Sequence, residues 1–143
     1  MPELNFTPEQ RAAIDTRGST VLVSAAAGSG KTRVLTERLM AYLTDAENPV
    51  DIDRFLVITY TRAAAAELRS RILDGIYARI ASDPENRRLR RQVALCARAE
   101  IGTIHSFCAD FLRANCAALA LAPDFQVADT ERCAALRLSL IHI

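Results

Sequence analysis

Val21-Leu-Val-Ser-Ala-Ala-Ala-Gly-Ser-Gly-Lys-Thr-Arg33 is the stretch on which the fold turns. An apolar run of strand length, Ser19 to Ser24, gives way to small residues and then to a helix opening at Lys31-Thr32. A loop in that position wraps an anion in backbone N–H groups at a helix N-terminus, where the helix dipole also favours negative charge. Gly28 and Gly30 accept positive φ and let the backbone approach closely. Charge usage singles out the same place. Of eighteen basic residues only Lys31 is lysine, and all the others are arginine. A compact ammonium is the point charge that a phosphate loop requires.

The pattern G-x-x-x-x-G-K-[ST] asks for Gly at its first position. Here the eight positions are Ala25, Ala26, Ala27, Gly28, Ser29, Gly30, Lys31 and Thr32, so Ala25 departs from it. In such a loop Lys31 reaches the β- and γ-phosphates of ATP and the Thr32 hydroxyl holds Mg²⁺. The other reading is a Gly-rich strand-to-helix turn carrying a surface lysine.

Outward from the loop, the elements alternate. Upstream, Phe6-Thr-Pro-Glu-Gln-Arg-Ala-Ala-Ile14 predicts a short helix with Thr7 as N-cap, Pro8 in the first turn and Gln10 completing a capping box. Ser19 to Ser24 is expected to be a central parallel strand covered on both faces. After Lys31, Val34, Leu35, Leu39 and Leu43 form the apolar side of an amphipathic helix. Phe55 to Thr59 reads as a second buried strand, which implies a right-handed parallel crossover from the first. A helix follows from Thr61 to about Ala81, ended at Ser82-Asp83-Pro84. Glu85 to Ala99 is a further helical stretch, Ile101 to Ile104 a third strand, and His105 to about Ala118 a helix with Phe107, Phe111 and Leu112 as its stripe. Asp129 caps a last helix from Thr130. The fold class is α/β, a parallel sheet flanked by helices.

Composition narrows the function. A length of 143 residues suffices for one domain with a core. A net charge of +1 leaves nucleic-acid binding to local clusters rather than bulk charge. Cys96, Cys108, Cys116 and Cys133 lack C-x-x-C spacing, so free thiols are expected and a zinc site is not. No leader pattern and no 18-residue apolar run occurs, so neither secretion nor membrane insertion is expected; the expected location is cytoplasmic.

Four segments, in order, resemble the motifs of UvrD/Rep-type superfamily 1 DNA helicases. Phe6-Thr-Pro-Glu-Gln10 resembles the adenine-reading Q motif, with Gln10 as the reading residue. Ala25 to Thr32 resembles motif I, in which the family commonly has Ala first; Arg33 follows directly. Val57-Ile-Thr-Tyr-Thr-Arg-Ala-Ala-Ala-Ala-Glu-Leu-Arg-Ser-Arg-Ile72 resembles motif Ia. Ile101-Gly-Thr-Ile-His-Ser-Phe-Cys108 resembles motif Ib. Within the family, the Ala-Ala-Ala-Gly-Ser-Gly-Lys-Thr loop, the Arg-rich helix and Asp124-Phe-Gln-Val-Ala-Asp129 are similar to the helicase–nuclease subunits of the AddA type. Tyr60 and Leu68 stand where motif Ia usually has Phe and often Met.

The resemblance implies a RecA-like P-loop NTPase domain, of which this chain is the N-terminal part. It implies an ATP- and Mg²⁺-dependent 3′–5′ translocase on single-stranded DNA, loading at double-stranded ends in recombinational break repair beside an AddB-type partner in a heterodimer. Nucleotide would be bound by Gln10, by Ala25 through Thr32 and by Arg33, with Lys31 and Thr32 as catalytic groups. No Asp-Glu dipeptide occurs, so the hydrolytic D-E-x-x motif is missing. This stretch is expected to hold nucleotide without hydrolysing it and, with an incomplete sheet, to be poorly soluble. The alternatives are a non-catalytic ATP- and DNA-binding module or another P-loop enzyme such as a small-molecule kinase.

DNA contacts follow from the same resemblance and from the rule that ligands sit at the carboxyl ends of parallel strands. They fall on Thr59, Tyr60, Thr61 and Arg62 after one strand and on Thr103, His105 and Ser106 after the next. Each has a plainer reading: Thr61 as a helix cap, Tyr60 as core, His105 as a structural residue. Arg87, Arg88, Arg90 and Arg91 are either a solvated helix face near Asp83 and Glu85 or a phosphate or partner track. The last six residues, Leu138 to Ile143, resemble the translation of a transposon adapter used in sequencing libraries. Residues 1–137 are then the helicase-like part and 138–143 a non-native tail, unless they simply end the last helix.

Overall fold

The computed structural model describes residues 5–141. Two compact units divide at Thr103 and Ile104. The first contains α1 (Pro8–Asp15), α2 (Lys31–Leu43), β1 (Leu56–Thr59), α3 (Arg62–Ser82), α4 (Arg87–Cys96) and β2 (Glu100–Thr103). The second contains α5 (Ile104–Ala114), a 3₁₀ turn at Cys116–Leu119 and α6 (Thr130–Ile141). None of the described helices is long and apolar enough to cross a membrane.

In the first unit β1 and β2 pair in parallel, with Val57 opposite Ile101 and Thr59 opposite Thr103. The crossover between them is α3 and α4, as a parallel pair requires. The core lies between α2, α3, α4 and one face of this pair. Met40, Leu43, Ile52, Ile72, Ile76 and Cys96 are its fully buried side chains. Removing one such aliphatic side chain from water contributes roughly 1.5–3 kcal/mol. Gly75 lets α2 and α3 approach, because a Cβ there would meet Met40 Sδ at 3.2 Å. Beside that crossing Arg79 Nη2 and Glu37 Oε2 form an ion pair at 2.8 Å.

A buried glutamine ties the α2–β1 connection to α4. Gln92 Oε1 accepts the Ile52 N–H at 2.9 Å, and its Nε2 donates to Asp51 Oδ1 at 2.8 Å. Asp51 also meets Arg88 at 2.8 Å and Arg91 at 3.4 Å. The Gln92 bond, followed by the two guanidinium groups, holds the Asp51 carboxyl below its ordinary pKa.

Two expectations, both about strands, are corrected here. Ser19 to Ser24 forms no strand. Val21 is half-buried against Ala13, Ile14 and Val34, while Leu22 is 92% exposed. Apolar content gives a strand its tendency to be buried, but a ladder needs a neighbour, and the two-stranded sheet does not extend to this segment. The crossover from it to β1 is therefore absent among the described residues. β1 is buried on one face only: Val57 points into the core while Leu56 and Ile58 are exposed. In the Arg-rich helix, Arg88 and Arg91 turn to Asp51 rather than to Asp83 or Glu85, and Arg90 donates to the Pro84 carbonyl. An aspartate far away in sequence leaves no local signature in the run.

In the second unit no described side chain of α5 is buried. Phe107 and Leu112 are half-buried, and Phe111 is exposed while stacking on Phe107 at 6.1 Å between centroids. The expected stripe exists as a side of the helix but is not covered within its unit. Asp129 Oδ1 accepts the Arg132 N–H at 2.8 Å and so caps α6 as expected. α6 runs through Leu138 to Ile141; His142 and Ile143 lie outside the described residues.

Candidate functional site

The site is built by α1, α2 and the loop between them. Thr7 caps α1, with its Oγ1 accepting the Gln10 N–H at 3.3 Å and Gln10 Oε1 accepting the Thr7 N–H at 3.0 Å. This reciprocal box fixes the Gln10 side chain. Its Nε2 then donates to the Ser29 carbonyl at 3.2 Å. The α1 cap is thereby tied to the loop.

The loop is a turn followed by a left-handed step. Ser29 N–H donates to the Ala26 carbonyl at 3.3 Å, with Gly28 at φ +78° in the third position, where a type II turn needs positive φ. Gly30, at φ +84°, is the N-cap of α2 and offers no side-chain cap. The first-turn N–H groups of α2 are therefore not used by a capping side chain, which is what an anion site at a helix end requires. Lys31 folds back over the loop: Nζ donates to the carbonyls of Ala25 and Ala26 at 2.7 and 2.6 Å. Thr32 and Lys31 are both exposed. A cavity of about 230 Å³ lies against Thr7, Gln10, Val23, Ala25, Ser29 and Lys31. These groups fit a polyphosphate: a backbone cradle, one ammonium and an exposed hydroxyl, with no carboxylate in the loop itself.

α1 and α2 are locked together by Ala13, Ile14 and Val34, with Phe6, Val21 and Ala41 against them. Arg33 lies over the Phe6 ring at 4.7 Å and Arg11 at 5.4 Å. Arg38 adds a hydrogen bond from its Nη1 to the Ala13 carbonyl. Phe6 is thus a platform for Arg33, a role its place in Phe6-Thr-Pro does not reveal.

A second cluster sits at the carboxyl ends of β1 and β2. Thr59 and Thr103 are register partners. Thr59 Oγ1 donates to the Thr61 carbonyl at 3.0 Å. Thr61 Oγ1 accepts the Ala64 N–H at 3.1 Å and caps α3. Tyr60 is not core: its exposure is 104%, and the ring stands in solvent next to exposed Arg62. His105 and Ser106 lie in the first turn of α5, in the second unit, and His105 is exposed. The first unit therefore gathers Thr59 to Arg62 with Thr103, while His105 and Ser106 belong to the other. The four cysteines are free thiols, and burial raises the pKa of Cys96.

Sequence reasoning passed over Arg69. Its guanidinium donates to the Cys96 carbonyl and to those of Ala99 and Ile101, the last two at 3.1 Å. Carbonyl partners carry no residue-type signature, so no pattern announces them.

A family model described as the UvrD/REP helicase N-terminal domain matches residues 6–142. Among curated relatives, the A-subunit of the ATP-dependent helicase/nuclease of Clostridium acetobutylicum is 53% identical over 125 residues, covering 87% of this chain and 10% of the relative. The protein of that name from Thermoanaerobacter sp. (strain X514) is 51% identical over 133 residues, covering 93% of this chain and 11% of the relative. That from Clostridium novyi is 47% identical over 142 residues, covering 99% and 12%. The chain spans about a tenth of the length of these relatives. With a phosphate-type loop, a parallel β-pair and a family match over nearly its whole length, the chain belongs to the UvrD/REP helicases, through their N-terminal domain.

Proposed function

We propose that this chain is the nucleotide-gripping, DNA-facing N-terminal part of an ATP-dependent DNA helicase of the helicase–nuclease type. The observation that carries the reading is the left-handed Gly28–Gly30 turn feeding the uncapped N-terminus of α2, with Lys31 in the loop and Gln10 docked on Ser29. The phosphates of ATP are held by the backbone of Ala25 to Gly30 and by Lys31. Gln10 reads the adenine edge, and Arg33 lies beside the nucleotide. Mg²⁺, held by Thr32, would supply charge neutralisation of the phosphates.

DNA lies across the strand ends. Thr59, Thr61, Arg62 and Thr103 contact its backbone there, and Tyr60 stacks on a base; His105 and Ser106 are backbone contacts made by the second unit. In the longer polypeptide, closure on ATP against a second domain drives 3′–5′ movement on single strands, loaded from duplex ends in recombinational break repair. That protein works in the cytoplasm with an AddB-type partner. The names of the relatives, all helicase/nuclease subunits, support this reading.

Lys31→Ala in the full-length protein tests it. ATP hydrolysis and unwinding should collapse, while binding of oligo-dT persists. Hydrolysis at the parent rate would remove the phosphate-loop assignment.

A further inference from the structure

Arg69 is half-buried on α3, and its guanidinium donates to three carbonyls, those of Cys96, Ala99 and Ile101, and also lies against the Cys96 thiol. None of the ion pairs among the described residues includes it. The three acceptors form a path. Cys96 ends α4, where a cation suits the helix dipole. Ala99 precedes β2, and Ile101 lies within it.

Carbonyls alternate in direction along a strand, and the Ile101 N–H donates to the Ala99 carbonyl at 2.9 Å, which sets that carbonyl on the same side as Ile101's own polar groups. Gly102, of the opposite parity, has its carbonyl 3.5 Å from Thr59 Oγ1 on β1. The carbonyls of Ala99 and Ile101 therefore face away from β1, along the free edge of β2. A charged side chain on a sheet edge is a known way to stop further pairing. Arg69 both seals that edge and fastens the start of β2 to α3, the helix whose N-terminus carries Thr61 and Arg62.

We propose that Arg69 is a positioning residue for DNA: its three-carbonyl clamp sets β2 so that Thr103 stands beside Thr59 at the strand ends. The proposal rests on the DNA reading given above. A planar guanidinium presents five N–H donors in a fixed fork, which suits three separated acceptors; an ammonium is a compact point charge on a flexible stem.

The test uses the full-length protein with Arg69→Met and Arg69→Lys. Oligo-dT affinity is read by fluorescence anisotropy, affinity for a fluorescent ATP analogue by titration, and the melting transition by calorimetry. Arg69→Met should weaken oligo-dT binding about tenfold, the equivalent of one charge-assisted contact. Nucleotide affinity should stay within about twofold, because α1 and α2 build that site without Arg69. Arg69→Lys should fall between parent and Arg69→Met. Parent-like oligo-dT binding in either variant overturns the proposal, as does parallel loss of DNA and nucleotide binding with a lowered transition. If Arg69→Met does not fold, Arg69→Lys decides by the same ratio of affinities. A parent protein that itself fails to bind oligo-dT removes the DNA reading instead, a result distinct from an unaffected variant.

Discussion

Gln10 is bonded at both ends of its amide, Oε1 to the Thr7 N–H at 3.0 Å and Nε2 to the Ser29 carbonyl at 3.2 Å. One side chain thus completes a helix cap and braces the phosphate loop. An amide has one acceptor oxygen and two donor hydrogens. The oxygen keeps a lone pair and the nitrogen keeps a hydrogen, so an adenine edge can be met without breaking either bond.

Gln10→Ala should therefore carry two separable effects. Loss of the bond from the Thr7 N–H to its side chain should destabilise α1 by about 0.5–1.5 kcal/mol. Loss of the Ser29 brace should weaken nucleotide binding. Gln10→Glu keeps the acceptor for Thr7 but cannot donate to Ser29, so thermal melting near the parent value with impaired nucleotide titration is the expected signature. Equal nucleotide affinity in parent and Gln10→Glu would sink the brace.

Gly30→Ala probes the left-handed step itself. An added Cβ would meet Gln10 Nε2 at 3.6 Å, an ordinary contact. The penalty is therefore conformational, roughly 1–2 kcal/mol for an L-residue in this region. A fall in phosphate-loop function without steric collapse of α1 against α2 is expected, read by nucleotide titration together with melting. Gly18 also has positive φ, with nothing within 4 Å of its Cβ position. Gly18→Ala serves as the control, with the strain but without the loop.

Tyr60→Ala should leave stability unchanged, because the ring is fully exposed. If a base stacks on it, single-strand affinity should fall by about 1–3 kcal/mol. Anisotropy with oligo-dT measures this directly. Tyr60→Phe should retain the affinity, since stacking needs the ring and not the hydroxyl.

Asp51 gives the chain an acid-sensitive joint. Its folded pKa lies below the ordinary carboxylate value, through the Gln92 bond first and then Arg88 and Arg91. A depressed carboxylate stabilises the fold fully above its unfolded pKa, about 3.9, and that contribution disappears as pH falls through the folded pKa. Melting temperature should accordingly drop on acidification below about pH 4. Asp51→Asn should flatten that slope and lower stability at neutral pH, where the carboxylate is charged.

What could be read in advance was whatever depends on near neighbours in sequence. The Thr7–Gln10 box, the Thr61 cap and the Asp129 cap each span three residues, and all are present. The Gly28–Gly30 turn follows from the same local logic. What escaped depends on distant partners. Ser19 to Ser24 has strand composition but no ladder, since a strand is a property of a pair. Arg88 and Arg91 find Asp51, and Arg69 finds main-chain carbonyls, neither of which a local pattern encodes. Tyr60 was ambiguous because an aromatic residue after a strand suits a core as well as a surface.

The folded-back Lys31 has a consequence for selectivity. Two of its three ammonium hydrogens rest on the carbonyls of Ala25 and Ala26. An incoming anion must replace those bonds, each charge-assisted and so about 1.5–3 kcal/mol in favour of the resting state. A ligand with a single reachable oxygen replaces one and gains little. A chain of phosphates presents several oxygens along the loop and replaces both. The resting lysine thus sets a threshold that counts phosphates, so inorganic phosphate and nucleoside monophosphates should compete poorly with di- and triphosphates.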